Sequence, residues 1–223
     1  MSHRLRFPDA RAAADAATFA SRATRLGDGA VRLQASAGTL VMTCAPLAPR
    51  GLLDATPTVL GLRATTVDPE LETDIVIDGT ALVASDEPTE LELPAVAVSA
   101  AWAGIAPPRA GWAEAPAVDA ATVAARAQWG IAAVAETVPR DAGEDAVRAV
   151  RATVWGAPDD ALAGLPLGAA FAAFGLGFIG GAETVAVRTA GPWTRLTFRR
   201  GHVLVRGPVK SGLTPVRGTG AAA

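Results

Sequence analysis

The chain has 223 residues, half of them hydrophobic, and a formal net charge of −2. That suffices for one large domain or two of about 100 residues each. The near-neutral balance argues against a protein that coats polyanions or is drawn to acidic membrane surfaces. A single cysteine, Cys44, excludes an internal disulfide framework and fits a reducing cytoplasm. The opening MSHRLRFPDARAAAD has no apolar stretch of the kind that marks a secretory signal. The 20 basic residues include one lysine, Lys210. With abundant alanine this reads as high-GC coding, as in actinobacteria, and not as selection for arginine chemistry.

In chain order, residues 1–7 read as a loose end. Pro8-Asp9 opens an alanine-rich helix to about Leu26, ended by Gly27-Asp28-Gly29. A hairpin follows: Val31, Leu33 and Ala35 alternate with polar residues, the chain turns near Ala37-Gly38, and Leu40, Met42 and Cys44 share a face. Cys44 is therefore expected to be a small core residue, since a reactive thiol needs a basic, partly exposed setting. Thr58 to Val67 is β-branched and alternating, so a strand. Thr73–Ile77 and Thr80–Ala84 flank Asp78-Gly79, the pattern of a type I′ hairpin. Glu90–Leu93 and Ala95–Ala101 read as further strand, interrupted by Pro94. From Asp68 to Glu92 nine acids occur with no basic residue.

Residues 102–112, WAGIAPPRAGW, stand apart. Pro107-Pro108 forbids regular structure, and two tryptophans bracket Arg109. Trp102, Arg109 and Trp112 suit an aromatic and cationic ligand platform. They suit better a rigid crossover that docks its indoles on two domains. The segment, through Trp102-Ala103-Gly104, Pro107-Pro108-Arg109 and Gly111-Trp112, resembles an uncharacterised conserved family of actinobacterial proteins. The resemblance covers a dozen residues closely and the rest only in the order of elements. It implies no activity.

Beyond it the pattern becomes helical. Asp119 can cap a helix to about Val138, ended by Pro139. Asp141 and Glu144 form a capping-box arrangement for a second helix, with Ala146, Val147, Val150 and Val154 inward and Arg148 and Arg151 outward. Ala161 to Ala182 is 22 residues without a charge. That is long enough to cross a bilayer, but six glycines and acidic flanks favour a buried helix near Pro166–Phe174. Gly175-x-Gly177-x-x-Gly180 lacks the preceding strand and the later acid of a dinucleotide site. Residues 185–206 then alternate as a three-stranded meander. Arg188, Arg195, Arg199, His202 and Arg206 are expected on one basic sheet face near Trp193.

Chemistry is thinly represented. The two histidines are His3 and His202, and no G-x-S-x-G, P-loop, calcium-loop or zinc-ligand spacing occurs. Asp74 and Asp78 are a formal carboxylate pair. The expected architecture is α+β. An N-terminal β-rich domain spans 1–101, barrel-like or a bent sheet with one helix. A Trp/Pro linker spans 102–117. Residues 118–207 form helices packed on a three-stranded antiparallel meander, and 208–223 form a flexible tail. The expected function is a non-enzymatic cytoplasmic partner-binding or scaffold protein. It would take a protein or a second copy as partner, with no cofactor, no metal and no membrane span, and nucleic acid is disfavoured. The alternative is a protein that binds a small anionic or aromatic ligand, or an enzyme, with its pocket between the halves near Trp102, Arg109 and Trp112.

Overall fold

A computed structural model describes residues 4–51, 53–139 and 141–207. The expected flexible tail, 208–223, and His3 lie outside the described residues. In the N-terminal half the order is β1 (Arg4–Arg6), α1 (Ala10–Ala23), β2 (Ala30–Ser36), β3 (Thr39–Leu47), β4 (Thr58–Thr66), β5 (Thr73–Asp78), β6 (Val83–Ala84) and β7 (Glu90–Glu92). The C-terminal half follows with β8 (Ala113–Asp119), α2 (Ala120–Thr137), α3 (Glu144–Gly156), β9 (Pro158–Asp159), β10 (Leu165–Pro166), α4 (Gly168–Gly175), β11 (Thr184–Ala190), β12 (Trp193–Phe198) and β13 (Gly201–Arg206). The fold is α+β, with mostly antiparallel sheets.

Eight strands form one antiparallel sheet in the order β5-β2-β3-β4-β13-β12-β11-β8. Each half supplies four of them. The halves join where β4 pairs with β13, Leu60 opposite Leu204. The predicted meander is therefore present but embedded, with β4 on one side and β8 on the other. The N-terminal half is an open sheet and not a closed barrel among the described residues. A small sheet, β1-β7-β6, lies beside it.

Strand alternation divides the core. Val31, Leu33, Leu40, Met42, Val59, Leu196, Val203 and Val205 point to the face covered by α1, α2 and α4, where they join Phe19, Ala127, Ala173 and Phe178 in one buried cluster. The intervening residues Leu60, Leu204 and Trp193 point to the opposite face and form a smaller cluster with Trp102. Cys44 is buried on the helix side. Gly61 in β4 is required by close approach: a Cβ there would overlap Leu176, which follows α4.

Several expected details change. Asp78-Gly79 does not make a hairpin, because β5 pairs with β2 and not with β6. The Asp78 carboxylate accepts from the backbone N and Oγ1 of Thr80, which winds residues 79–81 into a 3₁₀ turn instead. Ala95–Ala101 is not a strand. β8 is an edge strand over residues largely expected to be linker, and its alanines and Pro116 carry little β-propensity. Asp119 stands at the N-cap of α2 without a side-chain cap bond. Gly143, not Asp141, stands at the N-cap of α3. The uncharged run breaks into a 3₁₀ turn, β10, the eight-residue α4 and a loop. No helix among the described residues is long and apolar enough to cross a membrane.

Candidate functional site

The Trp/Pro segment crosses the second face of the sheet as a strap. The Val98 amide donates to the Val76 carbonyl of β5 at 2.8 Å, and Arg32 Nη1 donates to the Ala103 carbonyl at 2.6 Å. Trp102, in a 3₁₀ turn over Ala101–Gly104, is buried, and its Nε1 donates to Asp28 Oδ2 at 2.9 Å. Trp112 is half-buried and closes the Pro-Pro-Arg turn by donating to the Pro108 carbonyl at 3.0 Å. The Arg195 guanidinium stacks on the Trp112 ring, 4.6 Å from its centroid. Arg109 is exposed at the tip of the turn. The structure therefore does not bring Trp102, Arg109 and Trp112 into one cage. Their indoles dock at separate places, 102 towards α1 and 112 on β12.

Strand register places Arg188, Arg195, His202 and Arg206 on the strap side of the sheet. Arg188 lies opposite Arg195, Arg195 opposite Leu204, Trp193 opposite Arg206 and Thr197 opposite His202. Arg188 reaches Glu114 at 3.6 Å. The Nε atoms of Arg195 and Arg206 are buried and have no hydrogen-bond partner among the described residues. Burial, and then the charge of Arg195, push the His202 imidazole below its ordinary pKa. Arg199 departs from this set. It lies in the β12–β13 turn, where its amide donates to Glu183 Oε2 at 3.0 Å and its Nε lies 3.9 Å from the same carboxylate.

The acidic stretch is largely absorbed within its own domain. Glu90, buried to 8% exposure, takes Arg4 at 3.0 Å and Arg6 at 2.8 Å. Asp74 is bidentate with Arg32, at 2.8 and 2.7 Å, and this partner holds its carboxyl below the usual range. Asp78 is likewise held low, chiefly by the Thr80 hydroxyl. Each carboxylate of the formal pair therefore has its own local partner, and no shared general acid/base arrangement forms.

A second feature lies between the halves, where a pocket was expected near Trp102, Arg109 and Trp112; of these three, Trp102 lines it. A cleft of about 830 Å³ opens between the two halves, beside the β3–β4 loop and α3. Its floor is apolar and buried: Leu26, Ala45, Leu47, Trp102 and Trp155. Trp155 stacks on half-buried Phe171 with ring centroids 4.3 Å apart, and its Nε1 has no partner among the described residues. The rim carries Arg25, Arg50, Arg148 and Arg151 with Asp28, Asp54 and Glu144.

Two of those acids are engaged locally. Asp28 accepts from Trp102 Nε1 and the Ala30 amide, and Asp54 from the Arg50 and Thr56 amides at 2.8 and 2.9 Å. Hydrogen bonds, the Thr56 side chain's first, keep Asp54 below the usual carboxylate range. Arg148 pairs with Asp145 at 2.8 Å on its own helix. No side-chain acceptor is found for Arg25, Arg50 or Arg151 among the described residues. Glu144, Arg148, Arg151 and Trp155 recur at helical spacing. That pattern could have marked this wall, but the aliphatic residues of α3 suggested the other face. In the structure Trp155 is the buried residue of α3.

Two family models match the sequence, each described as a domain of unknown function. DUF8010 matches residues 1–104 and DUF8185 matches residues 107–210. They meet inside the Trp/Pro strap. No curated protein matches. Among solved structures, the DNA polymerase sliding clamp from Caulobacter crescentus aligns with a TM-score of 0.47 and 13% identity. The alignment spans 99% of this chain and 69% of the clamp's. Nearly the whole chain is thus a succession of two domains of unknown function, DUF8010 followed by DUF8185.

Proposed function

We propose that the protein is a non-enzymatic binding module whose ligand site is the cleft between its two domains. The supporting observation is one cleft that combines an apolar indole floor with three guanidinium groups for which the described residues supply no side-chain acceptor. Its volume lies in the range of small-molecule sites, and domain junctions are where such sites concentrate. Binding is favoured over catalysis because Cys44 is buried and His202 is not among the cleft residues. The test is native mass spectrometry on protein purified without detergent, together with the variant Ala152→Trp, which adds bulk to the cleft wall. The reading expects a mass that denaturation releases from the wild type and that the variant does not carry. A bound mass that Ala152→Trp retains would refute it.

The partner-binding reading keeps one observation of its own, the alignment of Arg188, Arg195 and Arg206 on the strap side of the sheet. It expects a poly-glutamate peptide to bind in fluorescence anisotropy with strong salt dependence, lost in Arg188→Ala with Arg206→Ala. Absence of binding at low salt would remove it.

A further inference from the structure

Resting on the cleft reading, we infer that the ligand is an amphipathic acid: a flat apolar body that carries one carboxylate, phosphate or sulfonate group. The burial of the cleft residues sets this order. Trp155 is 3% exposed, Trp102 4% and Leu47 8%, whereas Arg25, Arg50 and Arg151 are exposed. A ligand that enters therefore meets aromatic and aliphatic carbon at depth and guanidinium at the mouth. Half-buried Phe171, backed by the stacked Trp155, keeps part of its ring exposed in the cleft lining, and offset stacking favours a planar guest.

The charge argument is independent of the floor. An arginine fork matches the oxygens of a carboxylate or phosphate, and such charge-assisted bonds are stronger than neutral ones. Asp28 and Asp54 accept from neutral donors, and among the described residues neither forms a salt bridge with a rim arginine, although the charge of Arg50 acts on Asp54 through space. Arg25 belongs to the first domain and Arg151 to the second. Both line the same cleft, so guanidinium groups are available to an acid group from either side of the junction.

The test uses two fluorescent probes with the same ring systems. 1-Anilinonaphthalene-8-sulfonate carries an acid group, and N-phenyl-1-naphthylamine does not. The inference expects the sulfonate to bind at least about tenfold more tightly. It also expects Arg25→Ala and Arg151→Ala each to weaken the sulfonate about tenfold, the scale of one charge-assisted hydrogen bond, and to leave the neutral probe unchanged. Ala152→Trp should abolish both. Equal affinity for the two probes, with no effect of the arginine variants, overturns the acid and leaves the cleft reading standing. Binding of neither probe overturns both. Sulfonate binding that survives Ala152→Trp places the probe elsewhere and overturns the inference. Circular dichroism of each variant confirms that a lost signal is not a lost fold.

Discussion

Replacing Gly130 by alanine should destabilise this protein, although the same change in an exposed helix would stabilise it. Gly130 lies inside α2 and is buried. In an open helix, alanine gains about 1 kcal/mol over glycine. Here a Cβ would fall 2.8 Å from Trp155 Cη2 and closer still to Cζ3. The indole has little room to retreat, since it is 3% exposed and stacked on Phe171 at 4.3 Å. Overpacking of this kind costs about 1–3 kcal/mol, so the net change is a loss of roughly 1 kcal/mol. Urea unfolding followed by far-UV circular dichroism should show the midpoint falling by roughly 0.5 M.

The sign should reverse once the indole is gone. In a Trp155→Ala background the added methyl meets no ring, and Gly130→Ala should gain up to about 1 kcal/mol from helix propensity. The coupling between the two sites should then exceed about 1 kcal/mol, well above the additivity error of independent positions. Stabilisation of the wild type by Gly130→Ala, or coupling under about 0.5 kcal/mol, would refute the notch account. Because Trp155 also floors the cleft, Gly130→Ala should weaken binding of the sulfonate probe without touching a rim arginine.

Other consequences follow from buried groups. Arg126 donates from Nε to Asp159 Oδ2 at 2.8 Å, and Asp159 is 8% exposed. Arg126→Met should therefore cost about 3–5 kcal/mol in urea unfolding, and adding Asp159→Asn should recover part of it, because the loss comes chiefly from an uncompensated carboxylate. Burial pushes the Cys44 thiol up, with the charge of Asp28 in the same direction. The folded protein should resist Ellman's reagent for minutes and release one equivalent in denaturant, whereas rapid reaction of the native state would contradict this burial. His202 titrates below its ordinary value in the fold, so between the folded pKa and about 6.5 the unfolded chain binds more protons. Stability from this group is complete above about pH 6.5 and is lost as pH falls towards the folded pKa. Wild type should therefore lose ground to His202→Gln between pH 7.5 and 5.5, and a pH-independent difference between them would sink the account.

The two arginine-bearing surfaces differ in how far their own residues reveal them. Arg188, Arg195 and Arg206 each alternate with the apolar residues of their own strand, and the β11–β12–β13 register then brings them to one face. The cleft draws Arg25 from the turn after α1, Arg50 from the β3–β4 loop, Arg151 from α3 and Trp102 from the strap. No periodicity links those positions. Trp102 carried a visible signal, two indoles around a Pro-Pro-Arg turn. Its destination against Asp28, 74 residues upstream, did not follow from that signal.

Local order was written in the residues. Asp9 caps α1 by accepting from the Ala12 amide, Ala37 and Gly38 turn the first hairpin at φ of 47° and 76°, and Cys44 falls on the buried face of β3. These features depend on neighbours a few positions away, where propensity and side-chain period act directly. The fold-wide features did not share that property. Alternation says which face of a strand is buried but not which strand lies beside it. The β4–β13 join, the β5–β2 pairing that replaced the Asp78-Gly79 hairpin, and the edge strand β8 were therefore settled by packing. The same holds for the cleft. A concavity is made by the spacing of two surfaces, and contacts between distant segments alone set that spacing.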